Sequence, residues 1–428
     1  MSETEIYQLF LQHKSISTDT RGIEKGSIFF ALKGTNFNGN TFAKEALTKG
    51  AAWAVIDEAA YETENCILVE NVLETLQNLA RRYRRSLQIP FIAIGGSNGK
   101  TTTKELTAAV LSQQYKTFAT KGNLNNHIGV PLTLLAIPAD TQIAVIELGA
   151  NHIGETDFLC RIVEPNFGVV TNVGLDHLEG FGSLEGVAKA NGELYEYLLA
   201  HNGKIFYNTQ EESLKNISIK IPDNQIFTYP SKNDFFHVEY YPSDFFLSYL
   251  SENQKLIKTN LIGEYNFANI ATALCIGKYF GVAPEKANRA IASYSSSNNR
   301  SQLIEKGTNI IILDAYNANP SSMQKAISNL IQMPKEKKVV ILGQMNEMGA
   351  YSQQEHQNLG KLLSQHHFDK VILYGEEMQA ALAFLPKAYF FTDKFSLHNW
   401  LSDNPLSESI VLIKGSRGAK MESVLEFL

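Results

Sequence analysis

The sequence predicts an α/β fold in three domains, on three observations. The chain has 428 residues, more than one hydrophobic core ordinarily serves. Short apolar runs alternate with stretches of helical periodicity along most of its length, the pattern of parallel sheets with crossover helices. A glycine-rich turn, GGSNGKTTTKE at Gly95–Glu105, falls between one such run and one such helix. The expected divisions are a small α/β domain over 1–86, a central phosphate-loop domain with a mainly parallel sheet over 87–296, and a Rossmann-like domain over 297–428.

In the first division SIFFAL and AWAVI read as buried strands. FAKEALTKGA between them reads as a helix stopped by Gly50. LETLQNLARRYRRSL closes the division as an amphipathic helix, its basic cluster expected on a solvated face. In the second, PFIAIGG is a strand, TKELTAAVLSQQ a helix, and QIAVIEL and FGVVTNV further strands. Residues 217–262 turn strand-rich and aromatic, and NFANIATALCIGKYFG and VAPEKANRAIASY return to helix. In the third, NIIILDA, KVVILG, KVILYG, AYFF and SIVLIKG are five apolar runs separated by helical patterns.

The net charge of −6 gives no bulk attraction for nucleic acid. Cys66, Cys160 and Cys275 form no CxxC or metal spacing and read as a reduced set. The amino terminus MSETEIYQLF lacks a basic segment followed by an apolar one, and no window approaches 18 uninterrupted apolar residues. These features predict a cytoplasmic protein without a membrane span or a nucleic-acid partner, and a monomer is expected.

The turn at Gly95–Glu105 carries the first chemistry. A usual phosphate loop has a glycine where Ile94 stands, so the spacing is short. Backbone N–H groups of Gly96, Ser97, Asn98, Gly99 and the residues up to Thr102 can still cradle phosphate oxygens at a helix amino terminus. Lys100 can face the β/γ bridge and the Thr101 hydroxyl can ligate Mg²⁺. The alternative is a plain Gly/Asn turn. Glu147 ends an apolar strand, where α/β sheets gather ligands, and suits a metal unless it merely caps or faces solvent. Asp176 and His177 also follow a strand; His152, alone in its loop, reads as structural. Asn123, Asn125 and Asn126 can hold a carboxylate or a sugar, or can simply make turns.

In order along the chain, STDTRGIEKGSIFFALKG, GSNGKTTTKE, GNLNNHIGVPLTLL, ELGANHIGE, NVGLDHLEGFGSLEGVAK, DAYNANPSSM and KGSRG resemble the motifs of the Mur ligases, over nearly the whole length. The resemblance implies an ATP-dependent amide ligase of peptidoglycan precursor synthesis. Its substrates would be UDP-N-acetylmuramoyl-tripeptide and D-alanyl-D-alanine, joined through an acyl phosphate. By the same resemblance Lys100, Glu147 and His177 are catalytic, Thr101 and Glu147 hold one Mg²⁺, and Glu147 with His177 holds a second. Asn266, Asn269, Arg300 and Asp314 join the loop around ATP. Ser17, Asp19, Arg21, Asn38 and Asn40 fall in what the resemblance makes a uridine-nucleotide domain. Asn125, Asn126, Asn317, Asn319, Lys414, Ser416 and Arg417 are further substrate residues.

The chain departs from the family pattern at several places. Asn191 stands where relatives commonly hold a carbamylated lysine, and Lys189 lies two residues earlier, on a different helix face. An amide in place of the carbamate is the expectation. Asn38–Gly39–Asn40 stands where Asp-Gly-His is commoner, Gln344 replaces an Asp and Asn346 an apolar residue; Glu347 and His356 keep the pattern. The 344–347 stretch is expected to shape the dipeptide pocket without a catalytic role. Two other readings are a folylpolyglutamate synthase-like ligase, which the motifs before Pro90 oppose, and a non-catalytic nucleotide-binding relative, which only Asn191 favours.

Overall fold

A computed structural model describes residues 1–243 and 245–428. The first unit is built on a parallel sheet ordered Ile16–Ser17, Ile28–Phe30, Trp53–Ile56, Cys66–Leu68. Its closing helix, Val72–Ser86, starts on Asn71, whose side chain accepts the Glu74 N–H. The apolar face of that helix, with Leu76, Leu79 and Tyr83, shares one core with Phe10 of the first unit and with Val130 and Leu134 of the second. The first two units are therefore fused by burial.

The basic cluster of this helix is not wholly solvated, as the sequence suggested. Arg84 is buried, its guanidinium 4.1 Å over the Phe91 ring. Its Nε donates to the Val163 carbonyl at 2.6 Å and its Nη2 to the Glu164 carbonyl at 2.5 Å. Those carbonyls end the helix Glu155–Val163, so Arg84 satisfies groups that the helix cannot. Neighbouring Arg85 stays exposed and pairs with Glu164 at 2.6 Å.

The middle unit holds six parallel strands, ordered Ile226–Tyr229, Lys204–Asn208, Phe167–Val170, Phe91–Gly95, Ile143–Glu147, Thr117–Ala119. Phe91–Gly95 and Ile143–Glu147 are buried at every position, as their apolar runs require. From the central strand Phe91–Gly95 the chain builds first to one side and then to the other, which opens a crevice at the carboxyl ends of the strands. The strand-rich region forms a separate antiparallel sheet of Glu239–Tyr241, Phe246–Leu250 and Leu256–Ile262.

The third unit has a six-stranded sheet ordered Gln302–Lys306, Asn309–Asp314, Ile410–Lys414, Lys338–Gly343, Lys370–Tyr374, Tyr389–Phe391. All five apolar runs are strands. The edge strand Gln302–Lys306, antiparallel to its neighbour, escaped the sequence reading because QLIEK is short and largely polar. Beside the sheet His356 is fully buried, with Nδ1 2.8 Å from the Ser352 carbonyl and Nε2 accepting the Met345 N–H at 3.0 Å. Those partners fix the neutral ring, and burial holds its pKa below the ordinary value. Among the described residues, no helix is long and apolar enough to cross a membrane.

Two outcomes follow from these contacts. Arg84→Ala should destabilise the protein by about 2–3 kcal/mol, because one buried and one part-buried carbonyl lose a charged donor. Arg85→Ala should cost under about 1 kcal/mol, and urea melting compares the two. His356 is neutral in both folded and unfolded chains above about pH 6.5, and below that the unfolded chain takes the proton first. The stability advantage of the parent over His356→Gln should therefore narrow as pH falls from about 7 to 5, as thermal melting would show.

Candidate active site

The loop after Phe91–Gly95 needs glycine twice. Gly96 has φ of +116°, and a Cβ there would lie 2.2 Å from Thr171 Oγ1. Gly99, with φ of +83°, precedes the helix Lys100–Leu111, and its Cβ would lie 2.6 Å from Asn269 Oδ1. The loop is pinned from the neighbouring strand end. Asn98 N donates to Asn172 Oδ1 at 3.0 Å, and Ser97 Oγ donates to Asp176 Oδ1 at 2.8 Å. Lys100 folds back onto its own loop, with Nζ donating to the carbonyls of Gly96 at 2.5 Å and Ser97 at 3.0 Å. Thr101 and Thr102 follow on the wall of a cavity of about 380 Å³.

Glu147 stands opposite, at the end of its strand, and is only 2% exposed. Its Oε1 accepts from Asn125 Nδ2 at 2.8 Å. Its Oε2 has no hydrogen bond and lies 3.7 Å from Lys104 Nζ. Lys104 is equally buried, at 2%, one helical turn past Lys100. Sequence reasoning passed it over; its signal was the i, i+4 spacing that puts it on the face of Lys100. Asp176 is also buried, which pushes its carboxyl pKa up, while Lys100, His177 and the Ser97 hydroxyl oppose the shift.

His177 has a left-handed backbone, φ +44°, and its Nδ1 lies 2.5 Å from Glu347 Oε2 of the third unit. The two atoms approach closely without meeting the geometry of a hydrogen bond. Glu347, to which the sequence assigned no catalytic role, thus meets a candidate site residue. Asn123 and Asn126 line the cavity, Asn126 also accepting the N–H groups of Ile128 and Gly129 at 3.1 and 2.8 Å. His152 lies outside the cavity wall, 3.4 Å from Glu155.

The third unit supplies the facing wall. Arg300 stacks 3.7 Å over Tyr316, and its Nε is buried without a hydrogen bond. Asp314 Oδ2 lies 2.6 Å from Nζ of buried Lys414, which also donates to the Asn317 carbonyl at 3.1 Å. Asn319 caps the helix Pro320–Gln332 and donates from Nδ2 to Asn98 Oδ1 at 3.0 Å, while Asn98 Nδ2 donates to Ser321 Oγ at 3.0 Å. The loop is therefore bonded across the cleft. Asn266 and Asn269 reach the cavity but are largely bonded internally: Asn266 donates to the Ile262 carbonyl, and Asn269 donates to Asn266 Oδ1 and accepts from Thr103, at 2.8, 2.8 and 3.0 Å.

Other candidates lie elsewhere. Ser416 is buried behind the wall, accepting the Asn346 N–H at 2.7 Å, and Arg417 is exposed against Glu422 at 2.9 Å. Ser17, Asp19, Arg21, Asn38 and Asn40 belong to the first unit, outside this cavity. There Asp19 pairs with Arg21 at 2.6 Å, Asn38 Nδ2 donates to Glu58 at 3.1 Å, and Asn40 Nδ2 donates to Asp57 at 2.8 Å. Asn191 donates to the Val187 carbonyl of its own helix at 3.0 Å and is off the cavity wall, while Lys189 is exposed.

Among the described residues, three that line one cavity, Glu147, His177 and Arg300, each keep a buried polar atom without a hydrogen-bond partner. The Glu147 oxygen suits a divalent cation, and the Arg300 nitrogen suits an anion. That donor set fits a metal-dependent nucleotide site.

Comparison with known proteins gives matches to three family models: the Mur ligase family catalytic domain over 12–84, the Mur ligase middle domain over 94–277, and the Mur ligase glutamate ligase domain over 299–417. The UDP-N-acetylmuramoyl-tripeptide--D-alanyl-D-alanine ligase of Bacillus subtilis (strain 168) is 35% identical, with 96% of this chain and 92% of the relative covered. The crystal structure of MurF from Acinetobacter baumannii superposes with a TM-score of 0.84 at 29% identity, covering 97% of this chain and 93% of that one. MurF ligase from Thermotoga maritima in complex with ADP gives 0.84 at 26% identity, covering 97% of each chain. This chain belongs to the Mur ligase family.

Proposed function

We propose that the protein is an ATP-dependent ligase that joins D-alanyl-D-alanine to UDP-N-acetylmuramoyl-tripeptide in the cytoplasm, as a step of peptidoglycan precursor synthesis. The observation that carries the reading is the pairing of a phosphate loop with the buried, incompletely bonded Glu147 in one cavity closed by the third unit. The full-length relatives with that named activity support the substrate assignment.

In this reaction a carboxylate oxygen of the tripeptide attacks the γ-phosphorus of ATP, and the bond to the β-phosphate oxygen breaks to release ADP. The dipeptide amine then adds to the acyl carbon, loses a proton, and expels phosphate as the amide forms. Positioning and charge neutralisation carry most of such catalysis. The loop amides from Gly96 to Thr101 bind phosphate oxygens at the helix amino terminus. Lys100 leaves its loop carbonyls for the phosphates, which offer it stronger, charge-assisted partners. Thr101, Glu147 and His177 would hold Mg²⁺, which when bound neutralises charge on the phosphate oxygens. Arg300 and Lys414 face the same charge from the third unit, with Asp314 orienting Lys414. Asn125 holds the Glu147 carboxylate in place. The polar cluster around Asn38, Asn40 and Asp57, outside this cavity, would receive the uridine end.

Phosphate release should require ATP, UDP-N-acetylmuramoyl-tripeptide and D-alanyl-D-alanine together; release that proceeds without the dipeptide would defeat the reading. Lys100→Ala should lower turnover by about 10²–10³-fold, the scale of losing one preorganised charge at a reacting centre, without shifting the melting temperature. An asparagine side chain cannot form a carbamate with CO₂, so turnover should not respond to added bicarbonate; a bicarbonate-dependent rate would show that another lysine carries one.

A further inference from the structure

The segment Met345–Tyr351 of the third unit clamps the short helix Leu178–Phe181 of the middle unit. Leu178 is buried in the core of the third unit with Met345 and Met348. The Glu179 N–H donates to the Glu347 carbonyl at 3.1 Å, and Tyr351 OH donates to the Gly182 carbonyl at 3.0 Å. The clamp is anchored behind by the Met345 N–H bond to buried His356.

Apolar packing and backbone bonds alone would seat this interface. Glu347 does something they do not need. Its backbone is left-handed, φ +63°, and it faces His177, also left-handed at φ +44°. Two non-glycine residues in this strained region, from different units, bring their side chains to 2.5 Å. The Glu347 side chain is half exposed and could turn to water, yet it covers an imidazole nitrogen that is itself out of solvent. Covering Nδ1 leaves Nε2 as the ring nitrogen open to another ligand.

We propose that Glu347 is a positioning residue for His177: by seating on Nδ1 it fixes the ring for metal, so the metal site is complete only when the third unit is docked. The proposal rests on the reading of His177 as a metal ligand. It assigns a role to a residue of a different unit from the phosphate loop, and makes its carboxylate the link between docking and charge neutralisation.

The test is Mn²⁺ retention by the full-length protein–ADP complex, read from the paramagnetic resonance of free Mn²⁺, with ADP alone as the blank. Glu347→Ala should weaken retention about tenfold, and Glu347→Gln, whose amide oxygen can still face the ring, should recover part of it. In turnover, Glu347→Ala should raise the half-saturating Mg²⁺ by a similar factor while kcat at saturating Mg²⁺ stays within about twofold of the parent. Parent-like Mn²⁺ retention in a folded Glu347→Ala variant overturns the proposal. So does an equal loss in Tyr351→Phe, which keeps the carboxylate and removes only a contact of the clamp. If Glu347→Ala does not fold, the near-isosteric Glu347→Gln decides: weakened retention supports the proposal, and parent-like retention that His177→Ala lacks overturns it. His177→Ala with parent-like retention removes the underlying reading instead.

Discussion

The structure around the cavity is arranged about one buried charge, the Glu147 carboxylate. Taking a carboxylate out of water costs several kcal/mol unless partners replace the solvent. Here the replacement is partial. Asn125 bonds one oxygen, Lys104 approaches the other without bonding it, and that oxygen is otherwise bare. A fold that keeps such a group at the end of a central strand holds it ready for a cation. The adjacent glycine loop supplies the complementary anion site, since its amides and helix terminus favour phosphate. The two sites share a wall because strand Phe91–Gly95 lies directly beside strand Ile143–Glu147 in the sheet.

The third unit completes this arrangement through contacts that are specific in kind. Asn98, within the loop, exchanges bonds with Asn319 and Ser321 at a helix start across the cleft. Asp314 and Lys414 lie side by side because their parallel strands end in register, which sets a buried cation at the mouth of the cavity. Leu178 joins the third unit's core although it belongs to the middle of the chain. Motion of this unit would therefore change loop, cation and His177 together, so ligand binding and docking share one equilibrium.

The parts of the site that sequence made legible are those encoded by local rules. The phosphate loop could be read because glycines, a lysine and threonines stand between an apolar strand and a helix, and strand-end carboxylates could be read from the sheet pattern. What stayed hidden depends on distant packing. Lys104 looks like a surface lysine on a helix until the sheet folds beneath it. Arg84 looks like one of several solvated arginines until the helix Glu155–Val163 ends against it. Ser416 reads as part of a basic substrate loop, yet its hydroxyl is buried on the Asn346 N–H. Glu347 matched a family pattern, but nothing local to ILGQMNEMG announces that it lies on His177.

Asn191 bears on the same balance of charge. A carbamylated lysine would add an anion near the metals, but Asn191 is neutral and bonded to its own helix. Of the cations around the cavity, Lys104 and Lys414 already face carboxylates, which leaves Lys100, Arg300 and Lys325 as its positive charge without an ion pair among the described residues. With fewer fixed anions, a divalent cation would be held more by Glu147 and the His177 ring than by carboxylates in excess. Neutral imidazole is a weaker partner for a hard cation than oxygen anions are, so its orientation matters more. If the site takes a metal, the charge that Asn191 does not supply and the Glu347 carboxylate set against His177 would belong to one arrangement, in which the ring is held from the third unit.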